Sequence, residues 1–189
     1  MSMALLTVVL LNAACDKGLS GNSGERYDTL LDVSADGTST VILSNLKSAL
    51  VSTADLSAGE LKWLLQMKDE EKLARDVYSA LYEKWQSNVF SNIKNAESNH
   101  LNAVLSLLTY YGQNAEVKAA GEFDNPDFKA PYDELVAKGS ESLAEAYKTG
   151  ALIEEMDIKD ITEAIDAVTN ANIIMVFENL EKGSRNHLR

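Results

Sequence analysis

The chain reads as an all-α protein in which four long helices form two hairpins joined by a long crossover. Composition is the first reason: its 189 residues hold two Pro and ten Gly, and Ala, Leu, Glu and Lys abound, which favours helices over a turn-rich β sandwich. Periodicity is the second. Beyond Ser57, apolar residues recur at alternating steps of three and four, the spacing of one helix face. The third is a link of about eighteen residues that interrupts this pattern midway. With 46% hydrophobic and 24% charged residues, the length supports one substantial core, and one domain is the default.

The first helix opens at Ser57, where "SAGE" sets a Ser at the cap and Glu60 three residues later, a capping box. From Glu60 to about Trp85 no Gly or Pro occurs, and Leu64, Met67, Glu71, Ala74, Tyr78, Leu81 and Trp85 share a face. A second helix runs from about Asn88 to Tyr111, with Phe90, Ile93, Glu97, His100, Val104, Leu107 and Tyr111 on its face, and stops at Gly112. The short link "QSN" makes these two an antiparallel pair. The stretch "QNAEVKAAGEFDNPDFKA" then breaks the pattern before Pro131 opens a short helix at Tyr132–Ala137. Extended, that link reaches about 60 Å, whereas a helix of about 24 residues is about 36 Å long. It can therefore run the length of a bundle.

A second capping box, "SLAE" from Ser142 to Glu145, starts a third helix reaching about Val168, with Tyr147, Gly150, Glu154, Asp157, Ile161, Ala164 and Val168 as its stripe. The fourth, from about Asn170, carries Ile173, Phe177, Leu180, Ser184 and His187. Two hairpins with such a crossover have the connectivity of a ferritin-like four-helix bundle.

Residues 1–54 read differently. The opening "MSMALLTVVLLNAA" is uncharged, mostly apolar and short for a bilayer span, which suits a secretory h-region. It ends at Cys15, the single cysteine, behind Ala13 and Ala14, and resembles a bacterial lipoprotein processing site. No Lys or Arg precedes the apolar run, and Asn12 stands three residues before the cysteine where Leu is usual; a start further upstream would supply the basic end. The expectation is a leader over residues 1–15 and a tether with a weakly structured lead-in over 16–54. The bundle would occupy residues 55–189. The protein would then be an exported cell-envelope lipoprotein whose membrane contact is a lipid on Cys15. A cleaved signal or a loosely held hydrophobic N-terminus is the alternative.

The formal charge of −12 and a sequence pI near 4.6 argue against nucleic acid as a partner, because phosphate contacts need clustered Lys and Arg. An acidic balance suits cations as ligands.

Each of the four stripes is interrupted by groups that bind metal: Glu71 on the first helix, Glu97 and His100 on the second, Glu154 and Asp157 on the third, His187 on the fourth. Glu97 and His100 are i and i+3, so they face one side of their helix. Dimetal carboxylate sites in bundle cores are built from Glu and Glu-x-x-His in this way. Four carboxylates and two neutral imidazoles balance two divalent cations, and without cations the acids would raise one another's pKa values. Each group also has an ordinary reading. Glu97 and His100 can satisfy each other, and His187 can be a cation at a helix C-terminus. Glu71 lies in the charge run "KDEEKLARD", where Arg75 or Lys68 could pair with it, and Asp157 can be a surface acid. What joins them is that the chain has two His, and both fall on stripes that also carry acids.

The blocks "LLQMKDEEKLARDVYSALYEKW", "VFSNIKNAESNHLNAV", "GEFDNPDF", "YDELVAKGSESLAEAYKTGALIEEMDIKDI" and "NLEKGSRNHL" together resemble the domain of unknown function 2202, a ferritin-like family, from about residue 55 to the end. The resemblance implies a ferritin-like bundle and a metal site. Measured against ferritins and rubrerythrins, Ser184 stands where a Glu would complete a second Glu-x-x-His with His187. Asp157 is the substitute this suggests, with Glu155 as its competitor.

The function expected is a protein of two divalent metal ions, Fe or alternatively Mn, whose carboxylate and imidazole ligands leave a position for dioxygen or peroxide. Tyr78 and Tyr111 would be hydrogen-bond partners or electron donors, or core residues. The alternative is an exported, non-catalytic bundle acting as scaffold or metal-binding module. Iron storage fits poorly, since a closed shell is awkward with a lipid tether on every subunit. The sequence leaves the oligomeric state open, a dimer included.

Overall fold

The computed structural model describes residues 30–34, 36, 38–52 and 55–189; the leader and Cys15 lie outside them. Two short strands, β1 (Leu31–Val33) and β2 (Ser39–Val41), pair antiparallel with Leu31 opposite Val41 and Val33 opposite Ser39. Helix α1 (Leu43–Ala49) follows. The lead-in is therefore folded over these residues, where a weakly structured segment was expected. Leu31, Val41 and Leu46 are buried in one apolar cluster with Leu64, Leu107, Phe177 and Leu180 of the bundle. Strands of three residues are too short for an alternating pattern to stand out in the sequence, so tertiary burial decides them.

The long helices are α2 (Ala58–Trp85) and α3 (Asn88–Tyr110). After them come α4 (Lys129–Gly139), α5 (Leu143–Ala167) and α6 (Ala171–His187). The capping box at Ser57 and Glu60 is complete, whereas at Ser142 the side chain accepts from the Glu145 N–H. Helix α2 ends at Gln86, a non-glycine residue at φ 53°, and Gly112 at φ 67° follows the end of α3. Helices α2 and α3 pack as one hairpin and α5 and α6 as the other. The connection between them carries a 3-10 turn at Pro126–Phe128 and α4, which is longer than the Tyr132–Ala137 segment expected. The result is an all-α helical bundle.

The charge run on α2 is buried, contrary to its ordinary reading. Lys68 pairs with Asp124, and Lys72 with Asp76, while the Lys72 Nζ also donates to the Ala119 carbonyl at 2.8 Å. Asp69 accepts from the Asn125 N–H at 2.8 Å and Asp76 from the Gly121 N–H at 3.0 Å. These charges hold the crossover against α2. Tyr147 of the α5 stripe is exposed and Ile153 is buried instead; Tyr147 sits at the bundle rim, its hydroxyl 3.0 Å from Ser87 Oγ.

Buried apolar residues form two clusters, one around Leu64, Val104 and Phe177, the other around Tyr78, Phe90 and Ala146. Along α2, α3 and α5 the acids at positions 71, 97 and 154 fall between the two. No helix among the described residues is long and apolar enough to cross a membrane.

Candidate metal centre

Five of the six groups singled out in the sequence meet between the two apolar clusters. The ligand atoms of Glu71, Glu97 and His100 lie within 4.8 Å of one another, and so do those of Glu97, Glu154 and His187. Glu97 belongs to both sets. Its Oε2 is 3.0 Å from His100 Nδ1 and its Oε1 is 2.9 Å from His187 Nδ1, so the carboxylate stands astride the two imidazoles. Glu71 adds to the first side, with Oε2 3.4 Å from His100 Nδ1, and Glu154 to the second, with Oε2 3.1 Å from His187 Nδ1. The rings stack with centroids 5.5 Å apart and planes 20° from parallel.

Asp157 belongs to neither set. Ser184 Oγ donates to its Oδ2, and Asp157 is half-buried. The sequence made Asp157 the substitute for a missing Glu at 184; the structure pairs these two residues with each other, one helix turn from Glu154. Glu155 is exposed, because it points about 100° around α5 from the buried Glu154. The bland partners proposed for Glu71 are engaged elsewhere, Lys68 by Asp124 and Arg75 by Asp76.

Protonation follows from burial and proximity. Burial pushes the Glu71 carboxyl well above the ordinary range, and repulsion from Glu97 adds to it. Asp157 is raised by burial and then by Glu71 and Glu97. Glu154 rises through burial and Glu97, partly offset by His187 and Tyr78. Glu97 is the exception: burial would raise it, yet the two imidazoles outweigh burial and hold it well below the usual range. His187 responds in kind, since Glu97 and Glu154 overcome its burial and push it up to about 10, and His100 is raised the same way. Without cations the cluster holds protons where cations would bind.

The residues fit a pair of divalent ions by two tests. Both oxygens of Glu71 are buried with no hydrogen-bond partner, an arrangement that burial alone makes costly. The donor set, three carboxylates and two imidazole Nδ1 atoms, suits Fe, Mn or Zn. Glu71 and His100 would hold one ion, Glu154 and His187 the other, and Glu97 would bridge them.

Sequence reading missed three contributors. Ser39 of β2 is fully buried, and its Oγ lies 2.9 Å from His100 Nε2 and 3.1 Å from His187 Nε2. Gly183 leaves room for the His100 ring: a Cβ there would sit 2.4 Å from His100 Nε2. Gly150 does the same for Tyr78, whose hydroxyl would be 3.0 Å from such a Cβ. Tyr78 is a buried core residue whose hydroxyl also lies at the site, 2.7 Å from Glu154 Oε1 and 3.0 Å from the Gly150 carbonyl. Tyr111 does not: its hydroxyl donates to Asn170 Oδ1 and accepts from Asn172, near the start of α6. No local sequence pattern marks Ser39 or Gly183 as site residues.

Comparison with known proteins matches the bundle as a whole. The chain is 46% identical over 136 residues to the uncharacterized protein MJ0754 of Methanocaldococcus jannaschii, which covers 71% of this chain and 74% of that one. A crystal structure of hypothetical protein MJ0754 from Methanococcus jannaschii superposes with a TM-score of 0.71 at 42% identity, covering 74% of this chain and 81% of that chain. Residues 60–189 match the uncharacterized protein domain DUF2202, and the chain belongs to that family.

Proposed function

We propose that this protein is a ferritin-like dinuclear metal protein, most simply of Fe, with Mn as the alternative, that reacts with dioxygen or peroxide. The observation that carries this reading is Glu71. A metal-free network satisfies Glu97 and Glu154 through the two imidazoles, which is what a non-catalytic scaffold requires, but it leaves both Glu71 oxygens without a hydrogen bond, His100 Nδ1 standing 3.4 Å from Oε2. A cation at the first set supplies a partner.

Two redox-active ions held there would supply Lewis acidity and the electrons that reduce the oxidant. The chain's own groups do the rest. Glu97 orients both halves, and the Tyr78 hydroxyl donates to Glu154 and holds its carboxylate in place. A cavity of about 280 Å³ lies between α2, α4 and α5, on the side of α2 and α5 that carries Glu70 and Asp157 rather than the proposed ligands. Leu73, Ala74, Ile153 and Met156 form its apolar wall, and Glu70 and Asp157 line it too. Burial pushes Glu70 up to about 7.

An exported lipoprotein anchored through Cys15 remains part of the proposal, resting on the leader sequence alone. The metal reading is tested by metal analysis of protein purified without added metal, then anaerobic Fe(II) loading and exposure to dioxygen or peroxide. The expected result is two ions per chain and oxidation of the loaded iron. No uptake above trace levels would leave the scaffold reading.

A further inference from the structure

We infer that Ser39 is the positioning residue for both metal-binding imidazoles, so that the N-terminal hairpin completes a centre whose ligands all lie in the bundle. The inference rests on the metal reading above.

The geometry is specific. Each ring turns Nδ1 toward the carboxylates and Nε2 toward one hydroxyl, that of Ser39, at 2.9 and 3.1 Å. An imidazole that binds metal through Nδ1 carries its proton on Nε2, and that N–H needs an acceptor. A serine oxygen has two lone pairs, enough to accept from both rings at once. Both contacts are already made without a cation in place, so the hydroxyl fixes both ring planes before cations arrive. Carboxylates or backbone carbonyls usually do this work for metal-bound histidine; here a neutral hydroxyl does it, which leaves the charge of the centre unchanged.

The hairpin is held in register for this purpose. Asn186, next to His187, donates to the Ser34 carbonyl at 3.0 Å, and Asn92 donates to the Asp36 carbonyl at 3.2 Å. Gly183 brings the α6 backbone close enough that a Cβ there would sit 3.2 Å from Ser39 Oγ. Ser39 lies outside residues 60–189, so the matched bundle carries the ligands and this chain's own N-terminal segment carries the group that orients them.

The test uses the full chain with Zn(II) as a diamagnetic probe. Zn(II) affinity and the imidazole Nε2–H resonances of His100 and His187 would be measured in wild type, Ser39→Ala and Asn92→Ala. Removing an orienting partner of this kind costs roughly 10–100-fold in metal affinity. Ser39→Ala should show that loss and shift or exchange-broaden both Nε2–H signals. Asn92→Ala, which loosens the hairpin but keeps the hydroxyl, should leave both within about twofold of wild type. Overturning results are Ser39→Ala with wild-type affinity and unchanged signals, or Asn92→Ala matching its losses, which would make hairpin docking the cause. Wild type that binds no Zn(II) would overturn the metal reading and this inference together, whereas the first two outcomes leave the metal reading standing.

Discussion

At position 71 a carboxylate is fully buried with neither oxygen hydrogen-bonded, and leaving such a group uncompensated costs about 1–3 kcal/mol or more. Glu71→Gln should therefore stabilise the chelated protein by about 1–2 kcal/mol toward alkaline pH, where keeping a proton on Glu71 becomes costly and the amide donates to Glu97 without one, while the stabilisation by metal is lost. Thermal midpoints with and without chelator check this. The pH dependence follows from the same groups. A carboxyl raised in the folded state keeps its proton after the unfolded chain has lost its own, so metal-free stability falls as pH rises above 4.5. His187, raised from 6.5 to about 10, stabilises fully below 6.5 and stops doing so as pH passes through 10. Both effects have one sign, so the chelated protein should weaken steadily toward alkaline pH. Metal-loaded protein, whose cations replace those protons, should hold its midpoint over the same range, as calorimetry across pH would show. His187→Gln should lower the stoichiometry from two ions toward one, since His100 keeps its own. A helix-terminal cation alone would cost at most about 1 kcal/mol and no metal. At this scale the sequence located Glu71, Glu97, His100, Glu154 and His187 because a polar group on an apolar stripe is conspicuous. It could not place Asp157, since one helix turn decides whether an acid reaches the centre, and it had no means of finding Ser39, which reaches the rings across a fold rather than along a helix.

Among the elements, α2 has two buried faces with different chemistry. One carries Leu64, Met67, Glu71 and Tyr78 into the bundle, and its 3.6-residue period was plain in the sequence. The other carries Lys68, Asp69, Lys72 and Asp76 under the crossover. A run of mixed charges usually marks a solvated face, and only the crossover lying over it makes this one interior. Asp76 shows the consequence: it pairs with Lys72 and Arg75 and accepts from the Gly121 N–H. Asp76→Ala leaves Lys72 buried without its carboxylate, a loss of about 3–5 kcal/mol. Urea unfolding should show that drop, and a change within about 0.5 kcal/mol would mean that the crossover is held otherwise. The capping serines at 57 and 142 were legible for a related reason, that a cap and its third residue are neighbours in sequence. The β1–β2 pair was not, because three-residue strands owe their existence to Leu31 and Val41 being buried against the bundle.

In the whole molecule, two apolar clusters close over a belt of acids and imidazoles, and the N-terminal hairpin seals one side of that belt with Ser39. A belt of buried charge weakens a core unless something compensates it. Two ions at the carboxylate of Glu97 would compensate this belt. Anomalous scattering at the Fe or Mn edge, from crystals grown or soaked with that metal, reads this directly. The result expected is a pair of peaks flanking Glu97, one beside Glu71 and His100 and the other beside Glu154 and His187. A well-ordered map with no peak within bonding distance of Glu97 would contradict it.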